Sequence, residues 1–448
     1  MLHECLLKRR ALFLLARVRQ QLVQSDLVVR HRRGPQDFTR ECMLTFPRVM
    51  VFVLQKSLKS LQSRLHEFFW ELAGPNAPAV EASAFTHARA KLKASAFVEL
   101  NQTVLQTVYG SDGAGLVKRW HGHRLLAVDS SLMRLPSHAS VGKVFGWVQC
   151  ANHRGLQERY PQGRVSVLYD VLNEVALDSC LVGSRVAETE LAHQHLAHVP
   201  PDDVLLTDRG YTGYGWLVAI RARGAHFVSR CSKGSFAAVQ QLFARNEENV
   251  SVEVTLCAPR DTRAECLERG WPLELRVRLV TVRLPSGELE VLATSLLDAA
   301  AYPIEALAAV YWQRWGEETY YGRLKGRWDL EHGSGKTAEA VQQDFAATVF
   351  LSNMESVLIG PAQAQLEVKM AHRSQPVQVN RAVSVHALKY RLIELLSASV
   401  PIEQVLDELT QAFQANPISE RPGRNVPRRK FSPSRSYHYQ RRVKKISF

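Results

Sequence analysis

The sequence predicts an α/β chain in which a mixed sheet follows a helical N-terminal region. Three observations lead there. The hydrophobic period changes from helical to strand-like near His123, three apolar runs are then followed by alternating helix and strand patterns, and residues 249–297 alternate apolar with polar side chains. At 448 residues and 46% hydrophobic content the chain has material for roughly three domain-sized cores, which excludes a wholly disordered protein.

Taken in order, the first 110 or so residues carry helical apolar periodicity over Leu12–Leu27 and Met43–Leu72, interrupted by Gly-Pro-Asn-Ala-Pro at 74–78. Ser83 to Leu92 is a short helix of good helix formers crowded by Arg89, Lys91 and Lys93, suited to lying along DNA or simply to a wet basic side. The Gly/Ser/Asp cluster at 110–115 reads as a linker. His123–Met133, Val165–Leu172 and Ala176–Val182 read as three consecutive antiparallel strands. After them come a helix near 188–199, a strand at 204–208, a helix at 213–223 and a strand at 226–231. Val250, Val252, Val254 and Leu256, then Leu273, Leu275, Val277 and Leu279, with a turn at Pro285-Ser-Gly287, predict an all-β insertion over about 245–300. Helices resume over Pro303–Trp328 and about Val341–Ile359.

Charge is concentrated at the ends. Residues 1–40 carry nine Lys/Arg against three acids, and residues 421–448 carry ten and no acid, leaving a nearly neutral body in a chain of net charge +14. Basic ends on a neutral body suit a polyanionic partner, nucleic acid first, or serve as solvated termini. No run approaches the roughly 20 apolar residues of a membrane span, so a soluble, unexported protein is expected. Seven scattered cysteines without a CxxC pair fit neither a disulfide framework nor a zinc ribbon.

Two acids sit where packing alone disfavours them: Asp129 in Leu-Leu-Ala-Val-Asp-Ser-Ser, and Asp208 at the end of Val-Leu-Leu-Thr-Asp-Arg-Gly. An acid inside or at the tip of an apolar strand is costly unless paired, hydrogen-bonded or metal-bound; the alternative is that either Asp simply caps the next turn or helix. Carboxylates at adjacent strand ends suit Mg²⁺ or Mn²⁺. A third acid, Glu318, belongs to a pattern with Tyr311, Arg314 and Lys325. Read as one helix at about 100° per residue, these four share a face within about 60°, and the alternative is a solvated face with an Arg314–Glu318 pair. Glu317, about 100° off that face, is set aside.

Asp129 in a strand, Asp208 in Thr-Asp-Arg-Gly-Tyr, and Tyr-x2-Arg-x3-Glu-x6-Lys over Tyr311, Arg314, Glu318 and Lys325 together resemble the DDE transposases of the insertion-sequence-4 family. The resemblance runs from roughly Arg40 to Ile359, and Ser130-Ser131 departs from the Gly-Thr common after the first acid. It implies an RNase H-like mixed-sheet catalytic domain over 116–360 with the β insertion inside it and a helical DNA-binding region over 1–115, while beyond the resemblance a helical region over 361–420 and a Pro/Arg/Ser-rich basic tail over 421–448, disordered without a partner, are expected from composition. It also implies that Asp129, Asp208 and Glu318 hold two Mg²⁺ ions, with Mn²⁺ as a substitute, roughly 3.5–4 Å apart for in-line displacement at phosphorus. Water would cut at the transposon end and the freed 3′-OH would attack target DNA. Tyr311, Arg314 and Lys325 would hold phosphates, with Arg209, Arg89, Lys91 and Lys93 as further DNA contacts. The implied partners are the inverted repeats and target duplex, bound by a homodimer. The alternatives are an endonuclease of the same fold without strand transfer, and a DNA-binding regulator that has lost catalysis.

Other candidates are weaker. His193, His195 and His198 invite a zinc reading, but no third ligand type is near. Trp271 suits stacking on a displaced base or a buried turn, and Phe431, Tyr437, Tyr439 and Phe448 interleave with tail arginines as in single-strand binding or in a solvated tail.

Overall fold

A computed structural model describes residues 2–57, 59–111, 113–151, 157–397 and 400–419; the basic tail and its aromatic residues lie outside them. The chain forms two compact units interleaved in sequence. The first comprises Met1–Val117, Leu132–Gly163 and Gly322–Phe448, and the second Lys118–Ser131 and Arg164–Tyr321. Three elements run through the divisions: strands β1 (Leu125–Arg134) and β3 (Gln157–Asp170), and the helix Trp315–Gly326.

The first unit is helical and built on Ala338–Leu358, a helix buried nearly all round. Thr337 caps its start by accepting from the Ala340 amide at 3.1 Å. The helices Leu2–Leu22, Phe46–Leu54 and Ser95–Tyr109 pack on it. The segment Ala338–Lys369 is apolar and long enough to cross a membrane by composition, but 89% of its apolar window is covered by protein, as in a core helix. β2 (Trp147–Ala151) pairs antiparallel with the beginning of β3, with Trp147 opposite Pro161 and Val148 opposite Tyr160.

Arg89 corrects one expectation. Its side chain is 6% exposed, paired with Asp344 at 2.8 Å, and it also donates to Gln343, Ser334 and the Ala340 carbonyl. Every nitrogen of the guanidinium is engaged inside the unit, so it offers nothing to DNA. The apolar face of its helix, through Phe85 and Ala88, turns Arg89 inward. Lys91 is exposed, and Lys93 is half-buried and donates to the Arg30 carbonyl at 3.2 Å.

The second unit carries the sheet. With β4 (Val175–Gly183), β5 (Val204–Thr207), β6 (His226–Arg230), β7 (Ser251–Cys257), β8 (Glu274–Arg283) and β9 (Leu289–Thr294), the order is β3-β1-β5-β6-β9-β8-β7, with β4 on β3. β1, β5 and β6 are parallel, and β9, β8 and β7 continue antiparallel. Leu125–Val128 and all of β5 are buried, the continuous apolar run of a strand covered on both faces.

Three further expectations are revised. The segment expected to be all-β does supply β7, β8 and β9, but a helix, Arg260–Glu268, lies between β7 and β8, and β9 pairs with β6, so these strands extend the main sheet. That helix buries only Cys266, so it has almost no apolar stripe to announce it. β1, β3 and β4 are not consecutive, because the helix Ala139–Phe145 and β2 intervene. The helix expected over Pro303–Trp328 is two, Ile304–Trp312 and Trp315–Gly326.

Removing one partner of a buried charge pair leaves the other uncompensated, at about 3–5 kcal/mol. Arg89→Ala is therefore expected to lower stability by that order in urea unfolding. Wild-type stability with weakened DNA binding would reverse the assignment.

Candidate active site

The parallel register of β1 with β5 pairs Leu125 with Val204 and Leu126 with Leu205. Carried four residues on, the same register sets Asp129 level with Asp208, on strands roughly 4.8 Å apart. The two sequence-predicted Asp residues therefore meet because the sheet aligns them.

Each is held by local backbone. Asp129 Oδ1 accepts from the Ser130 amide at 2.7 Å, and the Asp129 carbonyl accepts from the Tyr321 hydroxyl at 2.8 Å. Asp208 Oδ1 accepts from the Gly210 amide at 2.7 Å and so caps the short 3₁₀ turn Arg209–Tyr211. A Cβ at position 210 would stand 3.1 Å from that oxygen, so glycine keeps the cap relaxed. Burial pushes Asp129 up to about 6, and the charges of Asp208 and Glu188 add to this, against the Ser130 amide and Arg314.

Around the pair is a ring of polar side chains. Ser130 Oγ donates to Glu188 at 2.9 Å, and Arg164 bridges Ser130 Oγ at 2.8 Å and Glu188 at 3.1 Å. The buried Tyr211 hydroxyl has no hydrogen-bond partner among the described residues, and burial beside Asp129 and Glu188 raises its pKa. Tyr320 stacks on Tyr169 at 4.4 Å, which fixes the helix Trp315–Gly326 against β3.

The break before that helix changes how the Tyr/Arg/Glu/Lys pattern is presented. Tyr311 lies in the last turn of one helix, Arg314 in the connection, and Glu318 and Lys325 on the next helix, so one continuous face at 100° per residue does not describe them. Arg314, 6% exposed, lies over the Tyr311 and Trp315 rings at 5.8 and 5.3 Å and donates to Glu318 at 3.1 Å. Glu317, set aside on angular grounds, is the one turned inward. It is fully buried, neither carboxylate oxygen has a hydrogen-bond partner, and burial followed by the Asp129 charge raises its pKa well above the usual range. The Asp129 backbone N–H and Arg314 act in the opposite direction and lower it in part. Lys325 belongs to the first unit, where it donates to the Leu132 carbonyl at 2.6 Å. Arg209 is exposed on the turn after β5.

Reading residues in isolation missed Glu188, Arg164, Ser130 and Tyr321 as neighbours of Asp129, because their proximity depends on the pairing of β1 with β3 and on the phase of a helix restarted at Trp315. The zinc reading of the histidines fails. His195 spends both ring nitrogens on Asp178 at 2.7 Å and Ser166 at 3.0 Å. Among the described residues no three His, Cys, Asp or Glu side chains converge as a metal-holding group. The donor chemistry around Asp129 nevertheless fits a hard divalent cation: carboxylate oxygens, no thiolate, and a buried carboxylate in Glu317 without a partner.

The transposase DDE domain family model matches residues 120–354, which span both Asp residues and the helix bearing Glu317 and Glu318. The chain belongs to the DDE transposase family. It is 24% identical over 364 residues to the Escherichia coli K12 transposase InsG of insertion sequence element IS4, covering 79% of this chain and 77% of that protein. It is 27% identical over 107 residues to the putative transposase InsZ of the same organism, covering 24% of this chain and 35% of that protein. These matches place the transposase in the insertion-sequence-4 type. A piggyBac transposase synaptic complex with hairpin DNA aligns with 94% of this chain and 87% of its own at 10% identity and a TM-score of 0.42, too loose to bear on the site.

The raised Asp129 pKa yields a stability prediction for this transposase. A carboxyl whose folded pKa of about 6 exceeds its ordinary value of 3.8 stabilises the fold below that lower value and loses the contribution as pH rises through the upper one. In EDTA, Asp129→Asn is expected to be more stable than wild type at pH 8, on the order of 2 kcal/mol. The difference is expected to vanish below about pH 4, as read from thermal unfolding across pH.

Proposed function

We propose that this transposase binds the terminal inverted repeats of an insertion sequence and performs metal-dependent DNA cleavage and strand transfer, in cut-and-paste transposition. The observation that carries the reading is the parallel register of β1 with β5, which extended by two residues sets Asp129, within β1, level with Asp208 just after β5, beside a helix that carries adjacent glutamates. The arrangement fits an RNase H-like core.

In this reading Asp129, Asp208 and Glu318 hold divalent cations, Mg²⁺ or Mn²⁺. Bound there, such ions supply charge neutralisation and nucleophile activation for displacement at phosphorus. The protein's own contribution is placement. The Tyr321 hydroxyl and the Ser130 amide fix Asp129, the Gly210 amide fixes Asp208, and Arg314 holds Glu318 at 3.1 Å while stacked on Tyr311 and Trp315. A DNA phosphate competes for the same guanidinium, whose planar fork suits a phosphate oxygen pair. Lys325, Arg209, Lys91 and Lys93 are proposed as further phosphate contacts. A homodimer bringing two ends together, and cytoplasmic, nucleoid-associated action, belong to the same proposal. So does the division into a DNA-binding region over 1–115, a catalytic domain over 116–360, a helical region over 361–420 and a basic tail.

The test is a strand-transfer assay on a duplex ending in the sequence that flanks the gene, with Mg²⁺ or Mn²⁺. Wild type is expected to join the end to a second duplex, and Asp129→Asn, Asp208→Asn and Glu318→Gln to lose at least about a thousandfold, the equivalent of several kcal/mol of transition-state stabilisation. Cleavage without joining would establish the endonuclease, and specific binding without chemistry the inactive regulator. Lys91→Ala and Lys93→Ala are expected to weaken binding evenly across sequences, each reducing the salt-dependence slope by about one.

A further inference from the structure

Arg164, on β3, is anchored by one nitrogen only. Its Nη1 donates to Ser130 Oγ at 2.8 Å and to Glu188 Oε2 at 3.1 Å, and Ser130 Oγ donates to the same carboxylate oxygen at 2.9 Å. Nε is buried without a hydrogen-bond partner, and Nη2 donates to none of the described residues. Nε–H and Nη2–H together form the lateral fork of a guanidinium, the edge that meets two oxygens of one carboxylate or phosphate. Elsewhere in the same unit that fork is closed: Arg124 sets Nε on Asp203 at 3.0 Å and Nη2 on the same carboxylate at 2.5 Å. Pairing with Glu188 needs no more than Nη1, and a buried N–H without an acceptor costs free energy that a partner with two acceptor oxygens would remove. Arg314, proposed above to meet a phosphate, has the same pattern, with Nη2 on Glu318 and Nε unpartnered.

The anchors place the open fork beside the acids. Ser130 follows Asp129, and its amide holds Asp129 Oδ1 at 2.7 Å. Glu188 Oε1 stands 3.9 Å from where a Cβ on Gly210 would lie, and the Gly210 amide holds Asp208 Oδ1 at 2.7 Å. The Arg164–Glu188 pair thus bonds to the residue after one Asp and lies against the turn after the other, with side chains 17% and 46% exposed.

We propose that Arg164 is a DNA-phosphate contact of the active site, its lateral fork taking two oxygens of a backbone phosphate near the cleaved end while Glu188 and Ser130 hold its remaining nitrogen. The proposal rests on the reading of this site as one that acts on a DNA end, and it adds a contact from β3, outside the Tyr/Arg/Glu/Lys pattern.

The experiment measures binding of the full chain, by fluorescence anisotropy in Ca²⁺, to the duplex ending in the sequence that flanks the gene, with single phosphates near that end replaced one at a time by uncharged methylphosphonates. Wild type is compared with Arg164→Gln and Arg164→Met, with folding checked by circular dichroism. Glutamine keeps a donor for Glu188 and methionine keeps the apolar stem, so one folded variant suffices. The variants are expected to bind the unmodified duplex about tenfold more weakly, with a salt-dependence slope smaller by about one. At one or two positions the methylphosphonate is expected to weaken wild type about tenfold and to cost the variants nothing further, because both changes remove the same contact. Undiminished sensitivity of the variants at every position would overturn the proposal and leave the site reading intact. A wild type indifferent to every neutralised phosphate at that end would overturn both.

Discussion

The parallel pairing of β1 with β5 is the constraint on which the site depends. Neither strand brings its acid to a partner alone, but a shared register sets Asp129 level with Asp208 with no side-chain adjustment. The pairing is secured by buried apolar residues, Leu125 to Val128 on one strand and Val204 to Leu206 on the other. A one-residue slip would turn each acid to the opposite face of the sheet, so the hydrophobic pattern that builds the core also fixes the position of the acids.

Two like charges side by side at the edge of an apolar core are unfavourable in the metal-free protein. Burial first, and the neighbouring Asp208 charge after it, raise the pKa of Asp129, and the surroundings offset only part of this with the Ser130 amide and Arg314. Glu188 is balanced by Arg164, and Glu318 by Arg314, while Glu317 is left without a counter-ion. Stability is thereby given up where cation and phosphate binding would restore it, the usual arrangement when charged groups are gathered for chemistry.

The first unit manages buried charge in the opposite way. Arg89 is matched to Asp344, Gln343, Ser334 and a carbonyl, and Asn353 donates to Asn101 at 2.8 Å. Such satisfied networks stiffen a helical core and leave no valence for a ligand. Arg89 and Glu317 are both buried, but one is fully engaged and the other has no hydrogen-bond partner for either carboxylate oxygen.

The sequence by itself determined the α/β class, the helical N-terminal region, strands β1, β5 and β6, and the family, because each is written in contiguous apolar patterns or in fixed spacings such as that from Tyr311 to Lys325. It also determined that Asp129 and Asp208 stand out, since an acid ending an apolar strand is visible locally. Only the tertiary structure decided that Arg89 faces inward, that the segment after β7 holds a helix, and that Glu317 is fully buried while Glu318 pairs with Arg314. Arg89 takes its role from a helix some 250 positions away in sequence, at Gln343 and Asp344. The orientation of Glu317 depends on a helix break at Gln313 and Arg314 that resets the phase on which angular counting relies. Periodicity carries direction only within an unbroken element; across a break, or between distant segments, packing supplies it.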